Sequence, residues 1–314
     1  MNIIFFGTST FAVPSLKAIH QSAHTILAVV TQPDRKRGRH LRVTPSPIKE
    51  IATGLDLPVY QPADASDAKA TAYLKKFDAD LFVVVSFGQI LSQEALSIPR
   101  RFAVNLHASL LPLYRGAAPI NWAIINGERA TGVTVFKLAK QMDAGDIILQ
   151  GSVSVEDRDT AVTLSEKISH DGADILLRAL DAIAQDKASF TRQEERAATY
   201  APRLKKSDGI IRWDIPAERI RNMVRGLLPW PSAFTTYKGK MLKILEAGDS
   251  DCDSEGAQCG QIVRVDSAAG ILVKTKDRCL VIQRLQLEGG RPMNFDEFVR
   301  GHRIMAGAVL GAGR

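Results

Sequence analysis

DLFVVVSFGQILSQEALSIPRRFAVNLH, residues 80–107, holds two continuous apolar runs, DLFVVVS (80–86) and FAVNLH (102–107). Neither run alternates apolar with polar residues, as a strand with one wetted face would. Runs of this kind are strands buried on both faces, the form that parallel strands take when crossover helices cover them. The connection between the two runs is long enough for such a crossover. Upstream, NIIFF (2–6) and ILAVVT (26–31) have the same character. The segments between them include PSLKAIHQ, with Pro14 suited to a first helical turn, and a stretch around SPIKEIA. Alternating buried strands and helices predict an α/β doubly wound, Rossmann-like parallel sheet domain.

Two more strands, TGVTVFKL (131–138) and DIILQGSVSV (146–155), flank the turn QMDAGD. Leu164, Ile168, Ile175, Leu176, Ala179, Leu180 and Ile183 recur at helical spacing, which predicts a helix over about 160–187 capped by Thr160. Periodicity then fades, so residues 1–188 read as one domain and 189–206 as a polar linker. Over 207–314, a short helix (217–227) leads into strand-like pieces separated by Gly and Asp. Their length and spacing predict a small C-terminal OB-like β-barrel of five strands.

Composition narrows the function classes. No apolar stretch approaches the roughly 20 residues that span a bilayer, and no basic or Arg/Ser-rich leader opens the chain, so a soluble cytoplasmic protein without a membrane partner is expected. The three cysteines, Cys252, Cys259 and Cys279, match no CxxC spacing and favour neither a disulfide framework nor a metal knuckle. The net charge is +7, of which +1 falls in residues 1–200 and +6 in 201–314. A basic last third suits an anionic partner such as nucleic acid and equally suits an ordinary basic surface. No apolar interface stripe stands out, which makes a monomer the expectation.

Asn105 and His107 end the second run of the opening stretch, and residues two apart in a strand share a face. Spacing alone leaves two readings: a pair that satisfies itself in a core, or a pair that faces a site. The carboxyl end of a parallel strand is where open α/β sheets bind ligands. An Asn amide can donate to a developing oxyanion, and an imidazole exchanges protons near neutral pH. Asp143 in the turn MDAGD is the candidate to orient that imidazole, with Gly145 allowing a tight backbone. The turn after the first strand carries only Gly7 where a dinucleotide fingerprint needs three glycines, which argues against a nicotinamide cofactor.

NLHASLLPLYRGAAPINWAIINGE (105–128) followed by TGVTVFKLAKQMDAGDIIL (131–149) closely resembles the folate-dependent formyltransferase family, in which Asn-x-His, Ser-Leu-Leu-Pro and an Asp in a Met-Asp-x-Gly-Asp turn occur together. The likeness runs along nearly the whole chain, through TQPDRKRGR, VVVSFGQIL and TYAPRLKKSDGIIRWD. It implies formyl transfer from 10-formyltetrahydrofolate to the α-amino group of methionine on initiator tRNA, with Asn105, His107 and Asp143 catalytic and no metal. It also implies that Ser109, Leu110, Leu111 and Pro112 contact the folate, and that Phe87, Gly88, Gln89, Ile90 and Leu91 line its pteridine pocket. An apolar slot with exposed backbone amides suits a flat pterin; the plainer reading of residues 87–91 is a strand-to-helix turn.

In PDRKRGRHLR (33–42) five of the eight residues from 35 to 42 are basic: Arg35, Lys36, Arg37, Arg39 and Arg42. Such a run repels itself and reads as a solvated loop. The resemblance implies instead that it reaches the acceptor end of the tRNA, with Arg39 and Arg42 as candidate readers of the terminal base. Lys205 and Lys206, with Arg219, Arg221, Arg225, Lys238, Lys240 and Lys243, would give a second RNA surface. The alternative is a formyltransferase acting on a small amine such as a sugar nucleotide, which would have no use for these basic features.

Overall fold

The computed structural model describes residues 1–37, 42–302 and 304–311. From Met1 to Ala201 the chain runs β1 (Asn2–Gly7), α1 (Val13–His20), β2 (Thr25–Val30), β3 (Arg35–Arg37), β4 (Arg42–Thr44), α2 (Pro47–Gly54) and β5 (Val59–Tyr60). It continues through α3 (Ala68–Leu74), β6 (Leu81–Val85), α4 (Gln93–Leu96), β7 (Phe102–His107), β8 (Arg115–Gly116) and α5 (Pro119–Ile125). β9 (Ala130–Lys137), β10 (Ile147–Ser154), α6 (Ala161–Ala184) and β11 (Tyr200–Ala201) complete this part. The helices begin where local chemistry directs. Pro14 sits in the first turn of α1, the Ser46 hydroxyl accepts from the Lys49 amide to cap α2, and Thr160 accepts from the Thr163 amide at the start of α6.

Contacts divide the chain into two units, the first comprising Met1–Pro119, Ala130–Ser154 and Ser165–Ala201. Its seven-stranded sheet has the order β10-β9-β7-β6-β1-β2-β5. β1, β2, β5, β6 and β7 are mutually parallel, while β9 runs antiparallel to both β7 and β10. The expected parallel sheet therefore carries an antiparallel edge. Burial explains why the opening stretch reads so clearly: Leu81 to Val85 are all buried, and Ile4, Phe6, Phe82 and Phe87 share one core cluster. Strand order reverses between β1 and β6, so the chain leaves the sheet there in opposite directions and opens a crevice at the strands' carboxyl ends.

The basic run, which charge repulsion suggests is a loop, has paired ends. β3 and β4 form an antiparallel hairpin in which Arg37 stands opposite Arg42. The expected linker is also more ordered than its polarity suggests. Thr191 pairs with Ile147, and β11 pairs in parallel with β8, so residues up to Ala201 are bonded within the first unit.

The second unit comprises Ile120–Arg129, Val155–Leu164 and Pro202–Arg314. It holds α7 (Ala217–Gly226), β12 (Ala233–Tyr237), β13 (Lys240–Ser250), β14 (Ile262–Asp266), β15 (Gly270–Lys274), β16 (Cys279–Leu287), β17 (Met293–Asn294) and α8 (Phe295–His302). The sheet order is β12-β13-β16-β15-β14, with the short β17 added on β16 and every pair antiparallel. The five expected strands are present, and β17 makes a sixth. Among the described residues no ladder joins β14 to β12, so by its hydrogen bonds the sheet is open. Alternation along β12 buries Ala233, Thr235 and Tyr237, as a half-exposed antiparallel strand requires. One expectation is corrected here: Cys252 and Cys279 form a disulfide with their Cα atoms 5.9 Å apart, and only Cys259 is free. The 27-residue separation that gave no motif is closed by the antiparallel pairing of β13 with β16, which sets Ser250 opposite Cys279 and which sequence spacing does not display.

Candidate active site

Asn105 and His107 lie at the carboxyl end of β7, between β6 and β9, with Asn105 opposite Phe136 and His107 opposite Thr134. His107 is only 6% exposed. Its Nε2 lies 2.9 Å from the carbonyl oxygen of Tyr114, and a carbonyl only accepts, so Nε2 carries a proton. Nδ1 is then the ring nitrogen at which a proton can enter or leave. Tyr114 holds a left-handed backbone conformation, φ 59°, and its amide donates to Thr199 Oγ1 at 2.8 Å. Asn105 is partly exposed, and no hydrogen bond engages its side-chain amide among the described residues. The two residues do not satisfy each other, which removes the core-pair reading.

Asp143 arrives from the turn between β9 and β10, closed by a bond from the Lys137 amide to the Asp146 carbonyl. Its φ is 52°, and a Cβ at Gly145 would stand 1.8 Å from the Lys137 carbonyl, so only glycine permits this closure. Asp143 Oδ2 accepts from the Gly116 amide at 2.8 Å and lies 3.7 Å from His107 Nδ1. That separation exceeds a hydrogen bond and leaves Nδ1 facing a carboxylate across a short gap. Gly116 is itself required by close approach, since a Cβ there would meet the Ala201 carbonyl at 2.7 Å. Asp143 is thus brought to His107, which shares one face of β7 with Asn105.

The segments expected to meet a folate differ in how they are used. The Phe87 ring is buried against Phe6, and its carbonyl accepts from Thr8 Oγ1 and Gln32 Nε2, which ties the loops after β1, β2 and β6 together. Gly88 has φ 79°, the Gln89 side chain turns away so that its Oε1 accepts from the Ala65 amide, Leu91 packs on the core cluster, and Ile90 is 77% exposed. The amide N–H groups of residues 87–91 donate no hydrogen bond among the described residues. A loop with open amides beside an apolar wall fits a flat, edge-polar molecule. Ser109 is fully buried and donates to the Leu113 carbonyl, Leu111 is buried with its amide on Thr134 Oγ1, and Leu110 packs where a Cβ at Gly132 would fall. Ser109 and Leu111 therefore shape the turn that ends in Pro112, with the Ser109 hydroxyl engaged inside it.

Sequence reading missed the residues that hold this arrangement. Arg115, 1% exposed, gives Nε and Nη2 to Gln193 Oε1 and Nη1 to both oxygens of Glu195. Gln193 Nε2 in turn donates to the carbonyls of Asp143 and Gly145. Arg115 stands within the quoted stretch, yet nothing in a polar segment marks Gln193 from its neighbours.

Of the basic candidates, Arg35 is exposed on β3 and Lys36, Arg37 and Arg42 lie in the hairpin strands, while Arg39 lies outside the described residues. In the second unit Lys205, Lys206, Arg219, Lys238 and Lys240 are exposed and Lys243 is half-buried. Arg221 is instead paired with Asp249, and Arg225 donates to the carbonyls of Glu156 and Asp159. Burial, with help from nearby Arg221, pulls the Arg225 guanidinium below its ordinary pKa. Those two arginines serve the unit's own structure. Among the described residues no group of three or more His, Cys, Asp or Glu could hold a metal, and no helix is long and apolar enough to cross a membrane.

Residues 1–180 match the family described as formyl transferase, and residues 203–303 match its C-terminal domain. A curated relative from Pelotomaculum thermopropionicum, named methionyl-tRNA formyltransferase, is 43% identical over 311 residues, 99% of each chain. Among solved structures, the sugar 3N-formyltransferase WlaRD, crystallised with dTDP and 5-N-formyl-THF, matches with a TM-score of 0.67 at 18% identity, covering 93% of this chain and 99% of its own. HypX from Aquifex aeolicus, in complex with tetrahydrofolic acid, matches with a TM-score of 0.62 at 16% identity over 95% of this chain. This chain spans 46% of the HypX chain. Both structures share the fold.

Proposed function

The chain belongs to the formyl transferase family, and on that premise we propose that it transfers the formyl group of 10-formyltetrahydrofolate to the α-amino group of methionine on initiator tRNA. The observation that carries this reading is the full-length match, second unit included, to a relative named for that activity. The convergence of Asn105, His107 and Asp143 supplies chemistry for it. The reading extends to a catalytic domain over 1–188, a linker over 189–206, and a tRNA-binding domain over 207–314, in a monomeric cytoplasmic protein.

In this reading the amine nitrogen attacks the formyl carbon. Asn105, whose amide has no partner among the described residues, donates to the oxygen that gains charge. His107, protonated at Nε2 by its bond to Tyr114, uses Nδ1 to take the proton the amine loses. Asp143 stabilises the imidazolium so formed across the 3.7 Å gap. The proton then passes to the departing folate nitrogen as its bond to the formyl carbon breaks. The residues 109–112 and 87–91 hold the donor, and the basic residues Arg35, Lys36, Arg37, Arg39, Arg42, Lys205 and Lys206 draw in the tRNA backbone.

The test is an assay of the purified protein with 10-formyltetrahydrofolate and either initiator or elongator methionyl-tRNA, followed by detection of N-formylmethionine after deacylation. Formylation of the initiator alone is expected. Inactivity toward both tRNAs by folded, folate-binding protein would move a small amine, such as a sugar nucleotide, into the acceptor's place.

A further inference from the structure

Residues 191–201 have the composition of a linker, yet both ends are tied down within the first unit. Thr191 exchanges backbone hydrogen bonds with Ile147 at 2.8 Å each, and the amides of Arg115 and Ala117 donate to the carbonyls of Thr199 and Ala201 at 2.9 Å each. Between these anchors Gln193 is buried. Its Nε2 donates to the Asp143 carbonyl at 2.8 Å and the Gly145 carbonyl at 2.7 Å, while its Oε1 accepts from Arg115 Nε at 3.1 Å and Nη2 at 2.9 Å. A guanidinium only donates and a carbonyl only accepts, so these partners fix which end of the amide is which. Both donors and both acceptor sites are used.

Farther along, Thr199 Oγ1 accepts the Tyr114 amide, and the Tyr114 carbonyl is the acceptor for His107 Nε2. Asp143 and Tyr114 both sit in the left-handed region, φ 52° and 59°, which non-glycine residues hold only where the surroundings impose it. The same segment supplies the hydrogen bonds at both places. We propose that the strap 191–201 positions the two members of the acid–base pair, with Gln193 setting the Asp143 carboxylate and Thr199 setting the His107 ring through Tyr114. Gln193 and Thr199 are positioning residues in this scheme, which rests on the catalytic reading of Asp143 and His107 above.

The experiment compares Gln193→Ala, Gln193→Glu, Thr199→Val, Thr199→Ser and Asp143→Asn in the initiator-tRNA formylation assay, with thermal melting and folate binding as checks of folding. Gln193→Glu keeps the acceptor for Arg115 but removes both N–H donors to the turn. A residue that only satisfied buried Arg115 would therefore tolerate it. Positioning predicts that Gln193→Glu and Gln193→Ala each lower kcat by about 10- to 100-fold with KM for tRNA within about twofold, the size expected when a reacting group shifts by a fraction of an ångström. Thr199→Val should also lower kcat, and Thr199→Ser, which keeps the hydroxyl, should restore it. Wild-type kcat in Gln193→Glu alongside an impaired Asp143→Asn overturns the strap's role and leaves the catalytic reading standing. Wild-type kcat in Asp143→Asn overturns the catalytic reading and the strap proposal with it.

Discussion

At the scale of single residues, the candidate site is defined by which polar groups are already used. His107 Nε2 and Asp143 Oδ2 have protein partners, whereas the Asn105 amide has none among the described residues. A donor without a partner at the end of a buried strand is available to a charge that appears only during reaction. Asn105→Ala should accordingly lower kcat by about 10²- to 10³-fold with little change in tRNA binding, the signature of an interaction made in the transition state. Steady-state kinetics on purified variant protein check this, and wild-type turnover would remove Asn105 from the site. Asn105 and His107 were legible as a pair because strand spacing is regular. The groups that hold the site were not: the Tyr114 carbonyl meets His107 and the Gly116 amide meets Asp143 through backbone atoms, and Gln193 reaches the Asp143 turn from a polar segment, and neither leaves a pattern in sequence.

At the scale of elements, two local devices can be tested without reference to the reaction. The β9–β10 turn closes so tightly that a Cβ at Gly145 would overlap the Lys137 carbonyl. Gly145→Ala should cost about 3 kcal/mol, toward the upper end for a single substitution, read as a lower urea midpoint. The second device caps α7 from a distance, since Asp277 Oδ1 accepts from the Ala217 amide at 2.9 Å. Partial burial pushes the Asp277 carboxyl up, but bonds from the amides of Ala217 and Arg278 and the Thr275 hydroxyl outweigh it and hold the group below its ordinary 3.8. A carboxyl depressed in the folded state adds stability that is fully present above the unfolded value and disappears as pH falls through the folded one. Asp277→Ala should cost about 1 kcal/mol at neutral pH, and the difference from wild type should vanish in strong acid. Unfolding midpoints from pH 7 downward measure it. The helix itself is readable from AERIRNMVRGL, but its capping residue is 60 positions away and belongs to a turn between strands.

At the scale of the whole molecule, charge is the property that a tRNA substrate would read. Each phosphate contact releases counterions, so a variant that loses contacts loses salt sensitivity with them. Neutralising Arg39 and Arg42 together should raise KM for charged tRNA and reduce the magnitude of the slope of log affinity against log salt by about 2, one for each contact. Filter binding over a range of salt concentrations gives the slope, and an unchanged value would leave the hairpin as solvated surface. Removing Arg221 or Arg225 is expected instead to lower stability, because Asp249 and the carbonyls of Glu156 and Asp159 already hold them.

The parallel core was legible in the sequence, since strands buried on both faces must be continuously apolar, and so was the candidate pair at the end of β7, since such strands present polar residues only at their ends. The sequence also carried the family likeness, which rests on residue identity at many positions. Tertiary structure alone decided that Cys252 meets Cys279, that β9 turns back antiparallel, that Arg221 and Arg225 are spoken for, and that a polar segment is a strap holding Asp143 and His107. The physical reason is common to all four. Burial of apolar surface is a summed property that leaves a periodic imprint on the chain, whereas a hydrogen bond or a disulfide depends on a single pairing that only the folded path brings together.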